Sequence, residues 1–120
     1  MNGQSCATWR LLYDEAPQSG AWNMACDEAL LRTVGAPAAP PTLRVYAWMP
    51  PTISLGYGQR FAAVNEAFVR AAGWGVVRRL TGGRAILHTD ELTYSLTLPK
   101  DHPLAQGGIK ERFHLFGQAP

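Results

Sequence analysis

The residues of this 120-residue sequence best suited to chemistry are two adjacent glycines set among arginines, in Arg78-Arg79-Leu80-Thr81-Gly82-Gly83-Arg84-Ala85-Ile86-Leu87-His88. Glycines let a ligand approach the main chain closely, amides at such a bend can point at an oxyanion, and flanking guanidinium groups supply charge where a phosphate or carboxylate would sit. A plain Gly-Gly hairpin carrying surface arginines has the same pattern, so the segment alone leaves both readings open. Charge distribution adds to it. Nine of the eleven basic residues are arginine, and Arg60, Arg70, Arg78, Arg79 and Arg84 face a single acid, Glu66, between Arg60 and His88. Arginine favours planar, bidentate contact with phosphate or carboxylate, although a solvated face would look the same.

Other motifs fall short. Gly56-Tyr57-Gly58 is followed by Phe61 where a dinucleotide fingerprint needs its third glycine, and no Gly-Lys-Ser/Thr is present for a phosphate loop. His88, His102 and His114 lie apart, without cysteine or carboxylate partners at ligand spacing; no metal site is expected and each reads as structural or surface. His88 is also a candidate base or hydrogen-bond donor, because it ends the segment that starts at the glycines and Asp90 and Glu91 follow it. Cys26 reads as a small buried thiol in a helix, and Cys6 stands near an untethered terminus. Asp27 and Glu28 either face solvent or reach the arginines, and Trp48, Tyr57 and Tyr94 are expected in the core or a pocket wall.

The elements that must hold these residues are legible in the hydrophobic pattern. Trp9–Tyr13 reads as a strand and Ala21–Val34 as a helix with Ser19 as its cap, Gly35 at its end, and Trp22, Ala25, Cys26, Ala29, Leu30 and Thr33 as an apolar stripe; Met24 and Leu31 lie off it, which leaves open a covering on both sides. After the proline-stiffened stretch Gly35–Pro41, Thr42–Trp48 and Thr52–Tyr57 read as neighbouring, paired strands. Val64–Ala72 is a second helix with Asn65 at its start, Glu66 facing Arg70, and Gly73 as its stop. Val76–Leu80, Arg84–His88 and Leu92–Leu98 are strand-like, the first two expected to form a hairpin across Gly82-Gly83. Ile109–Phe116 begins with helical spacing shortly before Pro120, so residues 1–120 are expected to be a fragment or a naturally truncated product. The class is α+β, a mixed sheet with packed helices.

Composition limits function further. A 47% hydrophobic and 17% charged chain is globular, and a net charge of +2 gives no reason to expect nucleic acid as a partner. No run approaches the ~18 apolar residues of a membrane span, the first residues lack a secretory pattern, and two cysteines twenty positions apart form no disulfide framework. No membrane partner is expected, and cytoplasm is the expected compartment.

Four blocks resemble one family in order and spacing: Asn23-Met-Ala-Cys-Asp-Glu-Ala-Leu30, Pro50-Pro-Thr-Ile-Ser-Leu-Gly-Tyr57, the arginine-glycine segment Arg78 to His88, and Glu91-Leu-Thr-Tyr-Ser95. The chain is similar, over about residues 9–112, to the biotin/lipoate protein ligase and octanoyltransferase family. The resemblance implies a fold like that of class II aminoacyl-tRNA synthetases and biotin synthetases, of which this chain is the N-terminal portion. It implies transfer of octanoyl or lipoyl groups to the lysine of a lipoyl carrier domain, with the acyl chain in a tunnel beside the glycines. Arg79, Gly82, Gly83, Arg84, Ala85, Ile86, Leu87 and His88 are then the ligand-contacting residues, Arg79 lying near the activated carbonyl or the nucleotide phosphate.

Arg84 stands where ligases of the family usually have a third glycine, so the chain looks more like the cysteine-dependent octanoyltransferases. That branch takes octanoyl from acyl carrier protein through an enzyme thioester, needs no cofactor, and delivers it to lipoyl domains of 2-oxoacid dehydrogenases or to the glycine cleavage H protein. The ligase alternative uses ATP and Mg to form lipoyl-adenylate. A non-catalytic anion-binding module is the alternative from another class. The resemblance places the family's lysine and acyl-accepting cysteine past Pro120, so no catalytic residue is assigned and this chain alone is expected to bind without turning over.

Overall fold

Ser19 starts the first helix as its type predicts: its hydroxyl accepts the Trp22 amide at 3.1 Å. The computed structural model describes residues 8–37 and 39–105; Cys6, His114, Lys110 and the Ile109–Phe116 pattern lie outside them. In chain order the elements are β1 (Arg10–Tyr13), α1 (Gly20–Thr33), β2 (Thr42–Tyr46), β3 (Thr52–Leu55), a 3₁₀ turn (Phe61–Ala63), α2 (Glu66–Ala72), β4 (Gly75–Arg78), β5 (Ile86–His88), β6 (Thr93–Thr97) and a 3₁₀ turn (Pro103–Ala105). α2 is capped by Asn65, whose side chain accepts from the Phe68 amide, and stops at Gly73 in the left-handed conformation at φ 73°. The Glu66–Arg70 pair forms at 2.7 Å. None of the described helices is long and apolar enough to cross a membrane.

The strands form two mixed three-stranded sheets in place of the one sheet expected. Their orders are β1-β2-β6 and β4-β3-β5. The expected pairing of Thr42–Trp48 with Thr52–Tyr57 does not occur, because β2 has a partner on each edge: β1 parallel and β6 antiparallel. The expected hairpin across Gly82-Gly83 is also absent. β3 lies between β4 (parallel) and β5 (antiparallel), so the glycine segment is a loop that crosses the end of β3.

The first sheet is inverted relative to the usual rule that apolar side chains point inward. Register places Thr42, Arg44 and Tyr46 of β2 with Ser95 and Thr97 of β6 on the face toward α1, and Leu11, Tyr13, Leu43, Val45, Tyr94 and Leu96 on the other. The polar face is the buried one: Thr42, Arg44 and Tyr46 are at most 2% exposed, whereas Leu11 and Tyr94 are 66% and 68% exposed. Tyr94, expected in a core or pocket wall, therefore faces water. α1 is inverted to match. Its buried residues are Gly20 and Asn23, while Trp22, Ala25, Ala29 and Thr33 of the predicted apolar stripe are exposed.

Arg44 lies at the centre of the polar layer between α1 and this sheet. Its Nη1 donates to the Asn23 carbonyl and Asp27 Oδ1, each at 3.0 Å, and its Nη2 to Asp14 Oδ2 and Asn23 Oδ1, each at 2.8 Å. Its guanidinium also lies 3.8 Å over the Tyr46 ring. Asp27 accepts in addition from Tyr46 Oη and Ser95 Oγ, each at 2.8 Å, and Asn23 Nδ2 donates to the Ala47 carbonyl at 3.0 Å. Burial pulls the Arg44 pKa down, but the hydrogen bonds to Asp14 and Asp27 and the Asp27 charge outweigh it, leaving the guanidinium above its ordinary value. Burial, then the Asp27 charge, raises the Tyr46 hydroxyl, which stays a neutral donor.

Removing one partner from such a network leaves the others desolvated and unpaired. Arg44→Met should lower the unfolding free energy by about 3 kcal/mol, the low end for a buried pair because water still reaches both aspartates. Urea denaturation checks it, and a loss under about 1 kcal/mol would show that the arginine does not carry the core.

Candidate active site at the glycine loop

Arg78 ends β4 and Arg79 follows it, so their side chains leave on opposite sides of the strand direction, and each ties down a different loop. Arg78 Nη1 donates to the carbonyls of Gly56 at 3.0 Å, Tyr57 at 3.2 Å and Gln59. Arg79 Nη1 donates to the Ser54 carbonyl and to Ser54 Oγ, each at 2.7 Å, and its Nη2 to the carbonyls of Gly82 at 3.0 Å and Arg84 at 2.8 Å. The two loops touch. A Cβ on Gly56 would sit 2.0 Å from the Gly83 oxygen, and the Tyr57 amide donates to the Thr81 carbonyl at 2.8 Å. Gly83 has φ 100°, a conformation that favours glycine.

These contacts decide what the loop offers a ligand. Four of the five guanidinium N–H groups of Arg79 already meet protein acceptors, and burial lowers its pKa. In a trans peptide the carbonyl and the following amide point in opposite directions. Because Arg79 holds the Gly82 and Arg84 carbonyls, the N–H groups of Gly83 and Ala85 turn away from it. The loop can therefore present a pair of main-chain donors to an oxyanion.

Behind the loop lies a second polar cluster. His88 is 5% exposed, its Nε2 is 2.8 Å from Ser54 Oγ and its Nδ1 is 2.9 Å from Glu91 Oε1. Thr93 Oγ1 donates to Glu91 Oε2 at 2.9 Å and accepts from Trp48 Nε1 at 2.8 Å, and the Trp48 ring stacks on the imidazole at 4.1 Å. The order serine, histidine, carboxylate is that of a nucleophile triad, but Ser54 is 0% exposed and its oxygen already accepts from Arg79. It cannot reach a substrate.

The structure brings the predicted residues Arg79, Gly82, Gly83, Arg84, Ala85 and His88 around one loop, with Ile86 and Leu87 on the strand that leaves it. Residues 80–87 are exposed, as is Tyr57 on the neighbouring loop at 65%. The hollow formed by Val34, Gly35, Ala39, Pro99 and Asp101 lies elsewhere, at the end of α1. Asp27 pairs with Arg44 and Glu28 with Arg32, so neither meets the loop arginines, and His102 packs edge-on against Trp9. Cys26 is half-buried on α1. Among the described residues no three His, Cys, Asp or Glu side chains cluster to hold a metal. Sequence reasoning missed Ser54 and Gly56 as shapers of the site; the available signal was the serine at the inward parity of a strand whose other inward residue is Thr52.

Gly56→Ala should force the two loops apart and destabilise the chain by more than about 2 kcal/mol. Gly83→Ala should cost about 1–3 kcal/mol for backbone strain. Thermal or urea unfolding checks both, with Gly58→Ala as the control, since nothing lies near a Cβ there.

Residues 19–119 match the lipoyl protein ligase A/B catalytic domain family. An octanoyltransferase LipM of Moorella thermoacetica is 52% identical over 107 residues, 88% of this chain and 39% of that protein. Among solved structures, a bi-partite lipoate protein ligase of Thermoplasma acidophilum, studied with its E2 lipoyl domain, is 30% identical with a TM-score of 0.68 over 76% of this chain and 36% of its own. A lipoate-protein ligase A bound with ATP is 30% identical with a TM-score of 0.71, over 88% of this chain and 41% of its own. The chain spans about two fifths of the length of the curated relatives it matches. With residues 19–119 matched and an α+β architecture shared with these solved structures, the chain belongs to the lipoyl protein ligase A/B catalytic domain family.

Proposed function

We propose that this chain is the acyl-binding, N-terminal part of a cytoplasmic octanoyltransferase of protein lipoylation. The observation that carries the reading is the glycine loop, whose Gly82 and Arg84 carbonyls are held inward by Arg79. The N–H groups of Gly83 and Ala85 would meet the carbonyl oxygen of an octanoyl thioester, and Tyr57, Leu80, Ile86 and Leu87 would flank its chain. Arg84, exposed on the same loop, adds positive charge. In the complete reaction an enzyme thiolate attacks the octanoyl thioester of acyl carrier protein, negative charge collects on the carbonyl oxygen, and the carrier's thiol leaves. The ε-amine of a lipoyl-domain lysine, in a 2-oxoacid dehydrogenase or the glycine cleavage H protein, then displaces the enzyme thiol and forms the amide.

In this reading the loop amides would be the oxyanion donors, and Cys26, which lies on α1, is not the attacking thiol. Transfer in this form requires no metal or nucleotide. A second reading, lipoate ligation through an acyl adenylate formed from ATP and Mg, is favoured by the likeness to the ATP-bound ligase. The greater identity to an octanoyltransferase supports the first.

Incubating the chain with octanoyl carrier protein and apo lipoyl domain should leave both masses unchanged, while S-octanoyl pantetheine should shift the Gly83 and Ala85 amide resonances. Shifts produced by lipoate only when ATP and Mg are present would move the assignment to the ligase branch. Indifference of these amides to every acyl compound would end both readings.

A further inference from the structure

The buried cluster behind the loop is not used by the chemistry just described, yet with a neutral His88 ring its donors and acceptors fall into one order. An arginine N–H only donates, so Ser54 Oγ accepts from Arg79 Nη1 at 2.7 Å. The single proton of that hydroxyl is then available to His88 Nε2, 2.8 Å away. Glu91 is an acceptor, so His88 Nδ1, 2.9 Å from Oε1, carries the imidazole proton. The other carboxylate oxygen accepts from Thr93, which accepts from Trp48, and Trp48 closes the circuit by stacking on His88. The opposite tautomer would set a bare Nδ1 against the carboxylate and leave Ser54 with two donors and no acceptor for its own proton.

We propose that Ser54, His88 and Glu91 are positioning residues: a directed relay from Arg79 through Ser54 and His88 to Glu91 fixes the guanidinium that holds the glycine loop in its oxyanion-binding shape. The relay acts through Arg79 alone. Ser54 and His88 are buried, and among the described residues the Glu91 carboxylate hydrogen-bonds to His88 and Thr93 side chains, so the three are assigned no contact with an acyl group on the loop. Arg79 needs the second anchor because its two loop acceptors, the Gly82 and Arg84 carbonyls, belong to the segment it must hold still. Ser54, on the central strand of its sheet, is the fixed point against which the loop is set. The consequence for acyl binding rests on the octanoyl reading above, whereas the shape of the free loop does not.

The experiment is NMR on the ¹⁵N-labelled 120-residue chain, first without ligand and then with S-octanoyl pantetheine. In the free wild type, the neutral His88 ring should carry its proton on Nδ1 and leave Nε2 bare. Glu91→Ala should abolish that signature, move the Gly83 and Ala85 amides and weaken the probe about tenfold, as expected for a lost charge-assisted hydrogen bond. Glu91→Gln, which keeps an acceptor for Nδ1, should restore the tautomer and the amide positions. Glu91 lies outside the strands and is partly exposed, so its variants are expected to fold; Ser54→Ala, with the fold verified by circular dichroism, tests the same relay from the other end. A protonated Nε2 in the wild type, or loop amides indifferent to Glu91→Ala and Ser54→Ala, would overturn the relay. If the wild type ignores the probe while the tautomer and amide shifts behave as stated, the relay stands and the octanoyl reading fails.

Discussion

A buried arginine that must be paired is the constraint on which the rest of this structure depends. Arg44 sits 2% exposed on the middle strand of the first sheet and draws α1, the β1–α1 connection and β6 into one polar core. Since side chains alternate along a strand, a slip of one residue in pairing would carry Arg44 to the open face and set Leu43 or Val45 against Asp27. Register is thus enforced by charge, with the desolvation of two carboxylates as the penalty for error. In most sheets an apolar face does this; here the apolar face is the exposed one.

The same core is linked to the glycine loop through aromatic rings. The Arg44 guanidinium lies over Tyr46, Tyr46 packs against Trp48 at 5.6 Å, and Trp48 stacks on His88, which leads through Ser54 to Arg79. Tyr46 and Thr93 belong to the first sheet, and Ser54 and His88 to the second. The two small sheets are therefore joined where Trp48 meets His88, directly behind the loop. Two guanidinium groups govern the molecule, Arg44 by assembling it and Arg79 by shaping its edge.

Most secondary structure was legible because the signals were local. Ser19, Asn65 and Gly73 cap helices through their own side-chain or backbone chemistry, and the β-branched runs around Thr42 and Thr52 became strands. What failed depended on distant partners. The apolar stripe of Trp22, Ala25 and Ala29 would face inward over an apolar core, and only the pairing of β2 between β1 and β6 shows that Arg44 lies beneath α1. Similarly, Gly82-Gly83 has the composition of a hairpin turn, and nothing local reveals that β3 enters between the flanking strands. For the site, Arg79 and His88 were legible as types suited to anions and protons. Ser54, which joins them, looked like an ordinary strand residue.

The contact between Gly56 and Gly83 has a consequence for recognition. With no room for even one carbon between them, the segments at 56–59 and 82–84 cannot be displaced independently: Arg78 ties the first to β4 and Arg79 ties the second to the same strand end. Whatever presses on one rim is felt at the other. Tyr57 and the glycine pair are thereby parts of a single rigid unit, so a substitution that shifts one also shifts the other.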